Sequence, residues 1–117
     1  MEVHDQQQWT HEWFDAWNSH DLDRILSHYT EDAEMISPMI QKLMSEPSGR
    51  LSGQAALRTY WGKALALVPD LHFEPVSVCW GVGSVVLTYR GVAGRTVSEV
   101  LTLNPAHRIA RAHAHYA

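Results

Sequence analysis

A single cysteine, Cys79, is all that the chain contains, so no internal disulfide can form and a reducing cytoplasm is the expected location. No run of Lys or Arg occurs, and the net charge is −4 with histidine neutral. Nucleic-acid affinity comes largely from clustered cations, so nucleic acid is not an expected partner. No apolar stretch approaches the roughly eighteen residues that cross a bilayer. The opening MEVHDQQQ is too polar for a signal peptide. Membrane association is therefore not expected, and neither an internal repeat nor a low-complexity segment is visible.

What is present fits one globular domain spanning residues 1–117, with 45% apolar and 19% charged residues. Five tryptophans are many for this length, and Trp9, Trp13 and Trp17 share one short segment. Their spacing of four, with Ala16 between, predicts an amphipathic helix over about residues 6–18. Asp21 is placed to cap a second short helix whose inner side carries Leu22, Ile25, Leu26 and Tyr29. Residues 33–37 predict a short strand stopped by Pro38. The stretch PMIQKLMSEPSGRLSG then reads as a loop of roughly fifteen residues. Its Met39, Ile40, Leu43 and Met44 suit either a flexible lid or a contact with a partner subunit. Ser52 is the expected cap of a third helix running to about Val68, with Leu57, Tyr60 or Trp61, Ala64 and Leu65 inward.

From Leu71 onward every signal is strand, with four runs separated by Gly-Val-Gly, Gly-Val-Ala-Gly and Asn-Pro-Ala-His. Three helices followed by a four-stranded meander describe an α+β domain with helices on one sheet face. A three-residue turn Val92-Ala93-Gly94, with Gly94 left-handed, pairs Tyr89 with Val97, Leu87 with Glu99 and Val85 with Leu101. A two-residue turn would shift the register by one. The first register makes one face apolar on both strands and is preferred. It leaves one acid, Glu99, on the core face between Val97 and Leu101.

The last residues, RIARAHAHYA, alternate. Ala110, Ala112, Ala114 and Tyr116 share one parity; Ile109, Arg111, His113 and His115 share the other. Burying Arg111 with two imidazoles is expensive without anions, so the alanine parity is expected to face the core. No third ligand accompanies His113 and His115 at metal spacing, so no metal site and no cofactor are assigned. Cys79 reads as a small strand residue without a cation-rich surround.

The segments WFDAWNSHDLDRILSHYTEDAEMISP, SGQAALRTYW and PDLHFEPVSV, with the terminal meander, resemble the nuclear transport factor 2-like superfamily, and its SnoaL-like branch in particular. The resemblance covers nearly the whole chain. It implies a cystatin-like cone, in which a curved antiparallel sheet wraps the three N-terminal helices around an open, mostly apolar pocket. It also implies a homodimer through the convex sheet face, onto which His113 and His115 then turn. Related proteins include ketosteroid isomerases and polyketide cyclases. By similarity the isomerase base falls at Ser37, which has no useful basicity, the oxyanion tyrosine at Trp13, and the protonated aspartate at Glu99.

Glu99 is thus the candidate catalytic acid or base, since a carboxyl in an apolar pocket acquires a raised pKa. Its alternative is a partly solvated carboxylate paired with an arginine at the cone mouth. The expected pocket wall comprises Trp13, Trp17, Tyr29 and Trp61 from the N-terminal half, with Met35 and Ser37 from the first strand. Leu87 and Leu101 from the hairpin, and Ala112, Ala114 and Tyr116 from the last strand, complete it. Aromatic walls suit a small apolar or cyclic ligand. His28 and Asp15 are secondary candidates for a general base and its partner. Three functions remain open: proton-transfer chemistry on a carbonyl compound, a non-catalytic ligand carrier, and a dimeric protein-interaction module.

Overall fold

The structure, a computed structural model, describes residues 1–117. Helix α1 (Val3–Ser19) buries Trp13, Phe14, Ala16 and Trp17. It ends where His20 turns left-handed and its N–H bonds back to the Trp17 carbonyl. Helix α2 (Leu22–Leu26) is capped as expected, the Asp21 carboxylate accepting the Asp23 and Arg24 N–H groups at 3.1 and 3.2 Å.

Strand β1 (Tyr29–Ile36) leads to a segment that is partly helical where a loop was expected. Ser37 accepts the Met39 N–H and Pro38 occupies the first turn, so Pro38–Leu43 forms helix α3. Ile40 is fully buried, and Arg50–Ser52 forms strand β2 on the edge of the sheet. The expected fifteen-residue loop is thereby corrected, because its apolar residues have a core to enter. The expected Ser52 cap is also corrected: Ser52 ends β2, and Gly53, at φ 90°, precedes helix α4 (Gln54–Leu67). The Gln54 amide instead donates to the Leu26 and Tyr29 carbonyls, tying α4 to the start of β1.

Strands β3 (Glu74–Gly81), β4 (Ser84–Arg90), β5 (Thr96–Leu103) and β6 (Ile109–Tyr116) complete one six-stranded sheet in the order β2-β1-β6-β5-β4-β3. The β4–β5 register is the one the turn implied: Tyr89 faces Val97, Leu87 faces Glu99 and Val85 faces Leu101. Gly94 is left-handed at φ 70°, and Ala93 joins it at 55°. The all-antiparallel expectation needs correction, since β6 inserts between β5 and β1 and runs parallel to β1. Four of the five strand pairs are antiparallel.

One face of the sheet packs on α1, α2 and α4 in a single core cluster that includes Trp13, Ile25, Leu57, Leu87 and Leu101. The other face carries Val86, Val100, His113 and His115 in half-buried or exposed positions. The parity of β6 holds only from Ala112 onward. A bulge beside Leu103 turns Ile109 inward, to complete burial, and leaves Ala110 half-buried. No helix is long and apolar enough to cross a membrane.

Candidate functional site

The chain contains four tyrosines, and all of them lie close enough to Glu99 for its charge to act on them. The sheet register explains the gathering. Tyr89, Val97 and Tyr116 form one row across β4, β5 and β6; Leu87, Glu99 and Ala114 form the next; Val85, Leu101 and Ala112 form the third. Tyr89 and Tyr116 are thus diagonal neighbours of Glu99 on the helix-covered face. Tyr29 comes from the start of β1 and Tyr60 from α4.

Glu99 is 3% exposed, and its Oε2 accepts a 2.6 Å hydrogen bond from the Tyr89 hydroxyl. Burial raises its carboxyl from 4.5 to about 7, with the Tyr89 bond pulling the other way. No arginine pairs with it, so the solvated ion-pair alternative does not describe it. Burial, and then the Glu99 charge, pushes the Tyr89 phenol well above its usual range.

A cavity of about 60 Å³ opens beside this pair. Trp17 and Trp61 meet edge to face at 5.0 Å on its helical side, while Phe73 and Tyr89 lie 4.3 Å apart on another. Met35, Met39 and Leu43 close one flank, and Glu99, Ala114 and Tyr116 form the sheet wall. The free space is room for a few waters and falls well below the ~300–1,000 Å³ of drug-sized ligand sites. Bound ligands must therefore be small, or the thioether side chains must rotate to admit them.

Of the residues expected in the wall, Trp17, Met35, Trp61, Ala114, Tyr116 and Glu99 line the cavity. Leu101 and Ala112 do not: both are sealed in the core. Leu87 shares the Glu99 row but is fully buried on its other side. Trp13 lies one helical turn below Trp17, 1% exposed, and its indole N–H donates to the Tyr29 hydroxyl at 3.3 Å. Trp13 and Tyr29 thus occupy each other beneath the cavity and are not available to orient a ligand there. Ser37 is buried behind the wall as the cap of α3.

The secondary candidates are placed elsewhere. Glu12 binds both Arg24, at 2.7 Å, and His28, at 3.1 Å, on the outside of α1 and α2. The Arg24 hydrogen bond chiefly holds the Glu12 carboxyl down at about 2. Asp15 pairs with His11 on the exposed side of α1. His113 and His115 stack 4.3 Å apart on the open sheet face, away from the cavity, with no third ligating side chain beside them. A wider groove of about 630 Å³ runs between α1 and β3, over Phe14, Phe73 and Trp80. Its ionisable groups, among them His11, Asp15 and His72, are all exposed.

Sequence reasoning overlooked Tyr89 as the partner of Glu99. The hairpin register already placed it diagonally across from that acid, so the signal was present. Phe73 was not accessible in this way, since it is carried by the loop before β3. That loop is held by Asn18, whose side chain accepts the Phe73 N–H at 2.7 Å and donates to the Phe73 carbonyl at 3.1 Å.

Residues 10–116 match the profile of the SnoaL-like domain. The chain belongs to the SnoaL-like family. A SnoaL-like protein of unknown function from Burkholderia thailandensis E264 is 52% identical, with 95% of this chain and 92% of that one covered and a TM-score of 0.91. At 19% identity, the epoxide hydrolase/cyclase-like enzyme SalBIII of salinomycin pyran-ring formation shares the fold, with a TM-score of 0.72 over 99% of this chain and 93% of that one. An uncharacterized cystatin-fold protein from Novosphingobium aromaticivorans is 17% identical, with a TM-score of 0.72 over 92% and 95%. No curated protein matches this SnoaL-like chain.

Proposed function

We propose that the protein binds a small apolar carbonyl compound in the aromatic cavity and that Glu99 is the acid–base group acting on its carbonyl oxygen. The supporting observation is the Tyr89–Glu99 pair. One carboxyl oxygen is held by Tyr89 at 2.6 Å, and the other has no partner in the chain while the residue borders the cavity. Protonated, Glu99 donates to a ligand oxygen; ionised, it accepts a proton from the ligand. Its value of about 7 makes both forms accessible near neutrality.

Chemistry over mere carriage is favoured by the cost of this arrangement. A buried glutamine would offer the same N–H or C=O contacts without the destabilisation that ionisation of a buried acid brings. Glu99 is the one carboxyl in the cavity wall and the other titratable groups there are phenols, so the chemistry is limited to proton transfer between Glu99 and the ligand. Isomerisation relying on a base at Ser37 is not part of this reading.

Trp17 and Trp61 supply the assay, because their fluorescence reports on cavity occupancy. Cyclohexanone is expected to bind more weakly as pH rises through about 7, with the dependence absent in Glu99→Gln. An unchanged pH dependence in that variant would overturn the role of Glu99. Deuterium incorporation at the ketone's α-carbon above the buffer rate, lost in Glu99→Gln, separates an enzyme from a carrier.

The same reading includes a homodimer through the open face of the sheet. Cys79, Val86 and Val100 form an uncharged row across β3, β4 and β5 there, and Val100 is 37% exposed. Thr88 and Ser98 join in the adjacent row, at 2.9 Å, leaving a strip without charges that a second copy can cover.

A further inference from the structure

The Tyr60 and Tyr116 phenols of the cavity wall stand apart from the Tyr89–Glu99 pair. Tyr60 comes from α4, and Tyr116 from the row it shares with Tyr89 and Val97. Neither phenol hydroxyl makes a hydrogen bond within the chain, and the buried Ser37 hydroxyl accepts only the Met39 N–H, at 3.1 Å. Both phenolic O–H groups are thus left without an acceptor in the chain.

The remainder of the wall narrows the chemistry. Fourteen of its sixteen residues are hydrophobic, and it contains no Lys, Arg or His. An anionic ligand would meet Glu99 with no compensating cation, whereas a neutral one with oxygen acceptors can take hydrogen bonds from the phenols and from protonated Glu99. We propose that Tyr60 and Tyr116 form a second oxygen-binding station, so that the cavity selects small neutral compounds with two acceptor oxygens over those with one. The first oxygen goes to Glu99, so this selectivity rests on the function proposed above. Glu99 and Tyr116 stand in adjacent rows of the sheet, which calls for two oxygens on different atoms of the ligand, as in a cyclic 1,4-dione, and Met39 and Leu43 are half-buried in the wall.

Cyclohexanone and cyclohexane-1,4-dione are suitable probes, titrated at pH 6 against tryptophan fluorescence. One additional neutral hydrogen bond contributes up to about tenfold in affinity, whereas two equivalent carbonyls alone give a statistical factor of about two. The expected preference for the dione is therefore five- to tenfold in the unmodified protein (about 1 kcal/mol). It falls to about twofold when Tyr60→Phe and Tyr116→Phe are combined. A statistical ratio in the unmodified protein, or a large ratio that survives in the double variant, overturns the second station alone. Failure of both compounds to bind overturns the Glu99 reading and the station with it. Phenylalanine keeps the ring packing of both sites, and near-ultraviolet circular dichroism verifies that each variant is folded before titration.

Discussion

Replacing Glu99 with glutamine should remove the part of the pH dependence of stability between pH 5 and pH 8 that the buried acid supplies. In the unfolded chain the carboxyl ionises near 4.5, while in the folded protein burial moves it to about 7. A group with a raised folded value contributes fully below the unfolded value and loses that contribution as pH rises through the folded one. The gap corresponds to about 3 kcal/mol, of which roughly 2–3 kcal/mol falls between pH 5 and pH 8. Glu12 works in the opposite direction, because its folded value of about 2 lies below the unfolded one. Its contribution is lost only below about pH 4.5, outside this window. All other titratable groups are common to both proteins and cancel in the comparison. Urea unfolding of the unmodified protein and of Glu99→Gln at both pH values yields a double difference that isolates Glu99. Tyr89 can still donate to the glutamine carbonyl, so the variant should match or exceed the parent's stability at pH 8. A double difference near zero would mean that Glu99 ionises at an ordinary pH, and the account of the site would fail.

Two further outcomes follow from the packing. Leu101→Ala should cost about 2–5 kcal/mol in urea unfolding, because Leu101 is fully buried in the third row with no cavity to absorb the loss; a cost below 1 kcal/mol would show that the core reaches the cavity after all. The dimer proposed through the open sheet face should form in the unmodified protein and be lost in Val100→Lys, which places a charge in the uncharged strip; a monomeric parent, or a dimer that persists in the variant, in sedimentation velocity would overturn that interface.

How much was legible in the sequence depended on whether the constraint was local. The register of β4 and β5 was readable because only one pairing puts Val85, Leu87, Tyr89, Val97 and Leu101 on a common face. Glu99 stood out for that reason, as the one acid in an apolar row. The outward turn of His113 and His115 followed from the cost of burying Arg111 beside them. Asp21 announced α2 through a cap whose geometry spans three residues. By contrast, the order in α3 was hidden: Pro and Ser within a short segment are equally compatible with a loop, and only burial of Ile40 against the rest of the core selects a helix. The bulge that turns Ile109 inward broke a parity that alternation alone had extended too far.

The sequence by itself determined the α+β layering, the hairpin register and the presence of one acid on the inner face. These follow from periodicity and turn chemistry, which act over a few residues. Tertiary structure decided what that acid touches. The closing of β6 between β5 and β1 brings Tyr116 beside Glu99, and α4 delivers Tyr60 to the cavity wall. The Trp13–Tyr29 contact removes two expected ligand contacts from the site. Such outcomes depend on rows and depths in three dimensions, where a step of two residues along a strand separates a cavity wall from a sealed core.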